Sequence, residues 1–281
     1  MQKESVLVVG LGEVGIPLLE LLKESGSFDV YGFDIDNNIT KKLKQSSPPE
    51  KIDTIHICIP CYEQRKFVDI VVDYAKKFSP KLLIINSTVP PATTTQVAMR
   101  CRCLIAHSPV RGVHESFERM KADLKKWTKY VGGTTKEAAY AAQTHFEKID
   151  LKTRILKSCT ETELAKLFET TYRAWMIAFF QEMHRISSHF GADFDDTVDF
   201  LEDTHRVRLD RPVMFPDVIG GHCLIPNIEL LQKSYPSQFL DLILDSNEKR
   251  KNEVKDRKVR EVIEKVKSRA KQLQKELMRA A

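Results

Sequence analysis

Three features of the sequence predict an α/β chain built as a doubly wound parallel sheet followed by an all-helical second part. A β-branched run leads straight into Gly10-Leu11-Gly12-Glu13-Val14-Gly15. Short apolar runs then alternate with helical stretches up to about residue 150. Between Glu161 and His189 glycine and proline are absent, and apolar residues recur at helical spacing. Strands separated by helices mark a parallel sheet covered on both faces, and the change of period marks a second domain. The domains are expected at 1–158 and 159–281. With 281 residues, 42% hydrophobic and 30% charged, the chain can bury one large or two modest cores.

Ser5-Val6-Leu7-Val8-Val9 reads as a buried parallel strand. The helix after it carries Val14, Leu18, Leu21 and Leu22 at spacings of three and four, until Ser25-Gly26-Ser27 breaks it. A second strand, Asp29 to Asp34, ends in an acid. Strand, Gly-x-Gly-x-x-Gly, helix, strand, acid is the dinucleotide-binding unit of a Rossmann domain. The first glycine turns the chain, the second admits the pyrophosphate, and the third packs helix on strand. The helix N-terminus offers N–H groups to phosphate. Asp34, roughly twenty residues on, suits ribose hydroxyls and repels a 2′-phosphate, so NAD is expected over NADP. Gly10, Gly12, Glu13, Val14, Gly15 and Asp34 are the first cofactor-binding candidates. A glycine-rich turn of another α/β fold is the alternative.

The alternation continues. Thr54 to Ile59 reads as a strand ended by Pro60, Lys66 to Phe78 as a helix, and Leu82 to Asn86 as a strand. Thr93 to Arg100 is expected as a helix, Cys103 to His107 and Thr128 to Gly133 as strands, and Thr135 to Lys148 as a helix. In such sheets the ligand lies beyond the carboxyl ends of the strands. Pro60, Cys61, Ser87, Thr88, Ser108 and Pro109 fall there.

The helix from Glu161 carries Leu164, Leu167, Phe168, Tyr172, Trp175, Met176 and Phe179, enough apolar surface to be buried over much of its girth. Gly191 stops it. Shorter helices are expected at Asp195–Glu202, Ile228–Leu231 and Phe239–Leu244. A final amphipathic helix carries Val259, Val262, Val266, Ala270, Leu273 and Leu277. The net charge of +5 resides there: Asp245 to Ala281 holds thirteen Lys and Arg against seven Asp and Glu. A solvated face explains this most simply, and an acidic partner is the alternative. The rest of the chain is near neutral, so no nucleic-acid partner is expected.

No apolar run is long enough to span a membrane, and the N-terminus enters a strand pattern with no signal-peptide features, so a cytoplasmic setting with reduced thiols is expected. The cysteines are Cys58, Cys61, Cys101, Cys103, Cys159 and Cys223. Cys58-x-x-Cys61 and Cys101-x-Cys103 raise a zinc site, but Cys58 and Cys103 lie in strand-like runs where a ligand knuckle is not expected. No metal is expected. Cys223 differs in context: it follows Gly220-Gly221-His222, a turn that lets another group approach. A thiol there is either a small core residue or a nucleophile.

Several stretches occur together and in order: the glycine motif, Ser87-Thr88-Val89-Pro90-Pro91-Ala92-Thr93-Thr94, Ser108-Pro109-Val110-Arg111, Glu163-Leu164-Ala165-Lys166 through Arg173, and Gly220-Gly221-His222-Cys223. In these the chain resembles the UDP-glucose/GDP-mannose dehydrogenase family, nearest its UDP-N-acetylmannosamine dehydrogenase branch, from about Val6 to Asn247. The resemblance implies a Rossmann domain followed by a helical domain of the 6-phosphogluconate dehydrogenase type. It implies oxidation of a primary alcohol on a nucleotide sugar to aldehyde and then carboxylate, with two NAD reduced. Cys223 is then the nucleophile that holds the aldehyde as a thiohemiacetal and later a thioester, Lys166 stabilises the oxyanion, and Thr88 positions water or contacts the cofactor. Arg111, Lys166, Thr170, Gly220, Gly221 and Asn227 are implied as substrate-binding. The long helix is implied to pack across a homodimer interface. The null for Lys166 is a solvated helix lysine.

The departures are informative. Val110 stands where the family has glutamate, Thr170 where it has asparagine, Asn227 where it has aspartate, and Cys61 where a threonine follows valine-proline. Two carboxylates expected near the thioester are neutral, which puts its hydrolysis in question. Glu115, close in sequence, is the candidate substitute. Family members continue into a third, nucleotide-binding domain that is expected to be missing here. Two further readings remain: a reductase or hydroxy-acid dehydrogenase of the 6-phosphogluconate type, with Lys166 as acid/base and Cys223 incidental, and a non-catalytic NAD-binding protein.

Overall fold

The computed structural model describes residues 3–44, 46–112, 116–221 and 223–280, with side chains described through Leu277. The chain forms two compact units, Met1–Leu167 and Phe168–Ala281. In the first, seven strands make one sheet: β1 (Glu4–Val9), β2 (Phe28–Phe33), β3 (Thr54–Ile57), β4 (Leu82–Ile85), β5 (Leu104–His107), β6 (Lys129–Gly133) and β7 (Thr153–Ile155), in the order β2-β1-β3-β4-β5-β6-β7. The central strands are continuous apolar runs because both faces are covered. The pleat sends Val6 and Val8 to one core and Leu7 and Val9 to the other. The first core also holds Leu18 and Leu22 of α1 (Gly15–Glu24), Leu124 of α5 (Phe117–Lys126) and Phe146 of α6 (Lys136–Glu147). The second holds Val71 and Val72 of α3 (Gln64–Phe78) and Val97 of α4 (Thr93–Ala98). Each such fully buried side chain contributes about 1.5–3 kcal/mol of transfer free energy.

The doubly wound plan holds, with two additions. β1 through β5 run parallel, but β6 pairs antiparallel with β5, His107 opposite Gly132. β7 then lies parallel to β6, Lys129 opposite Thr153. Strand direction has no local signature, since a residue's period is two either way, and three-residue β7 is too short to show one. Two short helices were also outside the expectation. In α2 (Asn37–Lys42) Asp36 caps the Asn38 N–H, and in α5 Ser116 caps the Arg119 N–H. The winding reverses between β1 and β3, and the glycine turn lies at the carboxyl end of β1, where such sheets bind ligands.

The unit boundary falls inside α7 (Cys159–His189). The second unit continues with α8 (Phe194–Arg208), α9 (Leu224–Ser234), α10 (Gln238–Glu253) and α11 (Arg257–Ala280). α8, α9 and α10 are longer than expected. α7 does not follow the expectation of burial over most of its girth. Ala174, Ile177, Phe180 and His184 are buried, while Phe168, Tyr172, Phe179 and Ile186 are exposed. On α11 the apolar stripe is buried at Ile263, Val266 and Leu273, and α8 supplies acids for its basic flank. Arg269 pairs with Asp195, Asp199 and Glu202, Lys265 with Asp195, and Arg206 with Glu276. Much of the terminal positive charge is met within the unit. No helix among the described residues is long and apolar enough to cross a membrane.

Candidate active site

The glycine turn of the first unit is shaped by close backbone contacts. Gly10 has φ +90°, and a Cβ there would stand 2.7 Å from the Cys58 carbonyl oxygen. A Cβ on Gly15 would fall 1.8 Å from the Gly10 carbonyl oxygen. Both glycines are required by the protein itself. Gly12 is not: a Cβ there would meet nothing within 4 Å. It is exposed beside the first turn of α1, where N–H groups and the helix dipole favour an anion. Asp34 ends β2 with one carboxylate oxygen accepting the Leu11 N–H at 2.6 Å and the other the Asp36 N–H at 2.9 Å. The acid is thereby fixed against the glycine turn. These residues fit a dinucleotide: a concave backbone, an open position at Gly12 and an oriented acid.

At the neighbouring strand ends, Pro60 is exposed and Cys61 is buried. The Ser87 hydroxyl donates to the Ile59 carbonyl at 2.6 Å, so the loops after β3 and β4 are tied together. Thr88 is half-buried. His107, fully buried at the end of β5, meets the Ser87 carbonyl through Nε2 at 3.0 Å and the Thr162 hydroxyl through Nδ1 at 2.8 Å. A carbonyl only accepts, so Nε2 carries the proton that reaches Ser87, while the Thr162 hydroxyl beside Nδ1 also donates to the Cys159 carbonyl at 2.8 Å. Burial holds this imidazole neutral, its pKa lowered to about 3.

A second buried chain runs behind these loops. Lys129 Nζ donates to the Ser108 carbonyl at 2.6 Å and to Asn86 Oδ1 at 3.2 Å. Asn86 Nδ2 donates to His56 Nδ1 at 3.1 Å, and His56 Nε2 meets His145 Nε2 at 2.9 Å. The amide orientation leaves the His56 proton on Nε2, donating to His145. Burial lowers the Lys129 pKa to about 7, and the charges of Lys166 and Arg111 push the same way. Lys166, itself half-buried, therefore lies within electrostatic reach of Lys129. Arg111 stacks on Trp127 and Tyr130 and donates to the Thr128 carbonyl. Val110 packs into the apolar core at 7% exposure and takes no acid role. The region favours negative charge on a ligand. Glu115 lies outside the described residues.

In the second unit Cys223 is the N-cap of α9, half-buried, where the helix end favours an anion. The turn before it is anchored from two helices. Asn247 of α10 accepts the Ile219 N–H at 2.7 Å, and Gln181 of α7 donates to the Asp217 carbonyl at 2.7 Å. Gly221 has φ +80°, and neither Gly220 nor Gly221 would crowd a Cβ within 3.5 Å. His222 is outside the described residues. Asn227, one turn into α9, donates from Nδ2 to the Thr170 hydroxyl at 3.2 Å, both buried. The two family departures thus meet each other: a neutral amide donates to a neutral hydroxyl. The other five thiols are shielded. Burial raises Cys58 and Cys61 to about 12 and Cys103 to about 11, and also raises Cys101 and Cys159.

Residues 160–253 match the model of the central domain of the UDP-glucose/GDP-mannose dehydrogenase family. The match covers the helix of Lys166 and Thr170 and the turn of Cys223, where the sequence placed the resemblance. A UDP-N-acetyl-D-mannosamine dehydrogenase of Methanocaldococcus jannaschii is 26% identical over 259 residues, 78% of this chain and 59% of that protein. The chain spans only 59–65% of the length of the first two curated relatives it matches. Among solved structures, the UDP-N-acetyl-mannosamine dehydrogenase of Staphylococcus aureus superposes with TM-score 0.71 at 21% identity, over 89% of this chain and 69% of its own. A 3-hydroxyisobutyrate dehydrogenase of Mycobacterium tuberculosis superposes with TM-score 0.65 at 17% identity, over 87% of this chain and 92% of its own. These likenesses show a shared fold.

Within the first unit the structure brings together the glycine turn and Asp34, and the Pro60–Cys61, Ser87–Thr88 and Arg111–Lys129–Lys166 groups at the strand ends. Within the second it brings together Thr170 and Asn227 and places Cys223 one turn away from Asn227. Sequence reasoning missed Lys129, His107, Glu163, Gln181 and Asn247. Their partners lie tens of residues away, and no short motif signals such pairs.

Proposed function

We propose that this protein is an NAD-dependent oxidoreductase acting on CH–OH donors, oxidising a primary alcohol of a sugar-like substrate, plausibly a nucleotide sugar, through a Cys223-bound intermediate. The observation that carries the cofactor half is Gly12. Its missing side chain serves no contact within the protein, so what needs the space is a ligand at the start of α1. Asp34 receives the ribose hydroxyls and its charge disfavours a 2′-phosphate. Ile35 and Tyr62, exposed and directly following Asp34 and Cys61 in the chain, offer apolar surface to the base. Ser87, Thr88, Pro60 and Cys61 complete the cofactor contacts. When bound, NAD supplies the hydride acceptor.

Cys223 is the nucleophile. Its sulfur adds to the aldehyde carbon, a C–S bond forms, and the carbonyl oxygen takes a proton. Lys166 stabilises that oxygen while it is negative, and Thr88 orients water. Arg111, Thr170, Gly220, Gly221 and Asn227 hold the substrate. The Thr170–Asn227 pair orients polar groups but carries no charge, so water attack on a thioester lacks a carboxylate there. The exposed apolar stripe of α7, extended by Trp175 against Phe239 with ring centroids 4.3 Å apart, supports a homodimer formed through this face.

The test is NADH formation with UDP-N-acetylmannosamine as probe. Cys223→Ser is expected to lower turnover by about 10³-fold or more while NAD affinity stays within about twofold. Thiol alkylation is expected to inactivate, with NAD protecting. Turnover unchanged in Cys223→Ser sinks the thiol role and favours the second reading, a hydroxy-acid dehydrogenase with Lys166 as acid/base. The near-complete superposition with a 3-hydroxyisobutyrate dehydrogenase favours that reading. NAD binding without turnover on either substrate class points to a non-catalytic NAD-binding protein.

A further inference from the structure

We infer that Glu163 is a positioning residue that clamps the Ser87–Thr94 turn to the helix carrying Lys166; the inference rests on the proposed cofactor role of that turn. Short helix α4 begins without a cap of its own. Its N-cap is Ala92, which has no side-chain acceptor and sits at φ 69°, a left-handed conformation that a non-glycine residue holds only when its surroundings demand it. The missing acceptor comes from α7. Glu163, fully buried, accepts the Ala92 N–H through Oε2 at 2.8 Å, and the Thr94 N–H and hydroxyl through Oε1 at 2.8 and 2.6 Å. One carboxylate thus satisfies two backbone N–H groups and a hydroxyl at a helix start, where a negative charge is also favoured.

A second bridge reaches the other end of the turn. The hydroxyl of Thr162, the residue before Glu163, lies 2.8 Å from His107 Nδ1, and the Nε2–H of that ring holds the Ser87 carbonyl. The turn is therefore gripped at Ser87 and at Ala92–Thr94, on either side of Thr88, by two adjacent residues of one helical turn. Lys166 lies three residues further along that helix. The position of Thr88 relative to Lys166 is set by these bonds. A buried carboxylate with no cation bonded to it among the described residues is retained here because three donors converge on it.

The experiment measures NAD affinity by titration calorimetry and amide exchange of residues 87–94, for wild type, Glu163→Gln, Thr94→Val and the double variant. Glu163→Gln keeps size and fold but turns one oxygen into a donor facing the Ala92 N–H or the Thr94 donors. The expected result is about tenfold weaker NAD binding in Glu163→Gln, with faster exchange confined to 87–94. The double variant is expected to be no weaker than Glu163→Gln, because both act through one bond set. Loss of melting temperature with unchanged NAD affinity overturns the proposal, as it would make Glu163 a structural cap only. Additive losses in the double variant overturn it as well. If wild type binds no NAD, the dinucleotide reading fails instead, and the clamp is then decided by exchange alone: equal exchange of 87–94 in wild type and Glu163→Gln overturns it.

Discussion

The two units handle charge in opposite ways. The sheet unit buries a set of basic groups: Lys129, His56 and His145 are almost fully enclosed and linked through Asn86 by hydrogen bonds, His107 is enclosed with bonds of its own to Ser87 and Thr162, and among the described residues no carboxylate is bonded to any of them. The helical unit sets its charges in ion pairs between α8 and α11, in which Asp195 and Glu202 are mostly buried while their Arg269 and Lys265 partners reach the surface. Buried groups are held by desolvation and directed bonds and feel pH, whereas surface pairs contribute little each and feel salt. The sheet unit can therefore fix its loops to a fraction of an ångström at the expense of acid tolerance. The helical unit gains association between helices from its pairs and has a smaller acid sensitivity at His184, where burial lowers the pKa to about 4. Arg250, fully buried in the same unit, combines both: it pairs with Glu253 at 3.0 Å and donates to the Gln181 carbonyl at 2.8 Å, and burial lowers its pKa to about 10.

The sharpest way to test the sheet unit is through its glycines. Gly15→Ala drives a Cβ into the Gly10 carbonyl and is expected to destabilise by about 3 kcal/mol, read in urea unfolding. Gly12→Ala meets no protein atom. It is expected to unfold as wild type does while NAD affinity falls about tenfold or more; equal affinity would remove the argument for a phosphate at that position.

Acid should separate the units next. His107 and His145 have folded pKa values near 3 against 6.5 in the unfolded chain. Depressed cationic groups bind fewer protons when folded, so their stability is complete above pH 6.5 and declines as pH falls toward about 3, on the order of 1.4 kcal/mol per pKa unit and group. Lys129, lowered from 10.5 to about 7, adds a decline between pH 10.5 and 7 that is flat below. Lys129→Met is expected to remove that slope, seen by comparing denaturant midpoints at pH 7 and 9.5 with wild type. An unchanged slope would mean that Lys129 stays charged when folded. The smallest effect belongs to the helical unit. Arg269→Ala, which strips partners from Asp195, Asp199 and Glu202, is expected to lower stability by about 1 kcal/mol and to weaken the salt dependence of unfolding.

Much of this was legible in advance wherever chemistry and spacing are local. The glycine turn, the acid at the end of β2 and the helix stripes follow from periods of 2 and 3.6 and from backbone freedom at glycine. Lys166, Thr170, Cys223 and Asn227 stand in the stretches whose order suggested the family, and residues 160–253 match the model of that family's central domain. The strand at β6 was legible but its antiparallel direction was not, and short β7, α2 and α5 left too little periodic signal. The contacts of Glu163 with Thr94, His56 with His145, and Asn247 with Ile219 join positions 69, 89 and 28 residues apart.

The sequence by itself determined a parallel α/β sheet with a dinucleotide turn, a helical second part and a cysteine after paired glycines, because these depend on local backbone preferences and on which side chains avoid water. The tertiary structure alone decided which polar groups are buried and what satisfies them. It showed that Gly12 is empty while Gly10 and Gly15 are filled, that Val110 belongs to the core, and that Thr170 and Asn227 bond to each other. The reason is physical: the energy of a buried donor or acceptor depends on its partner's position, and that partner is brought in by packing rather than by neighbouring residues in the chain.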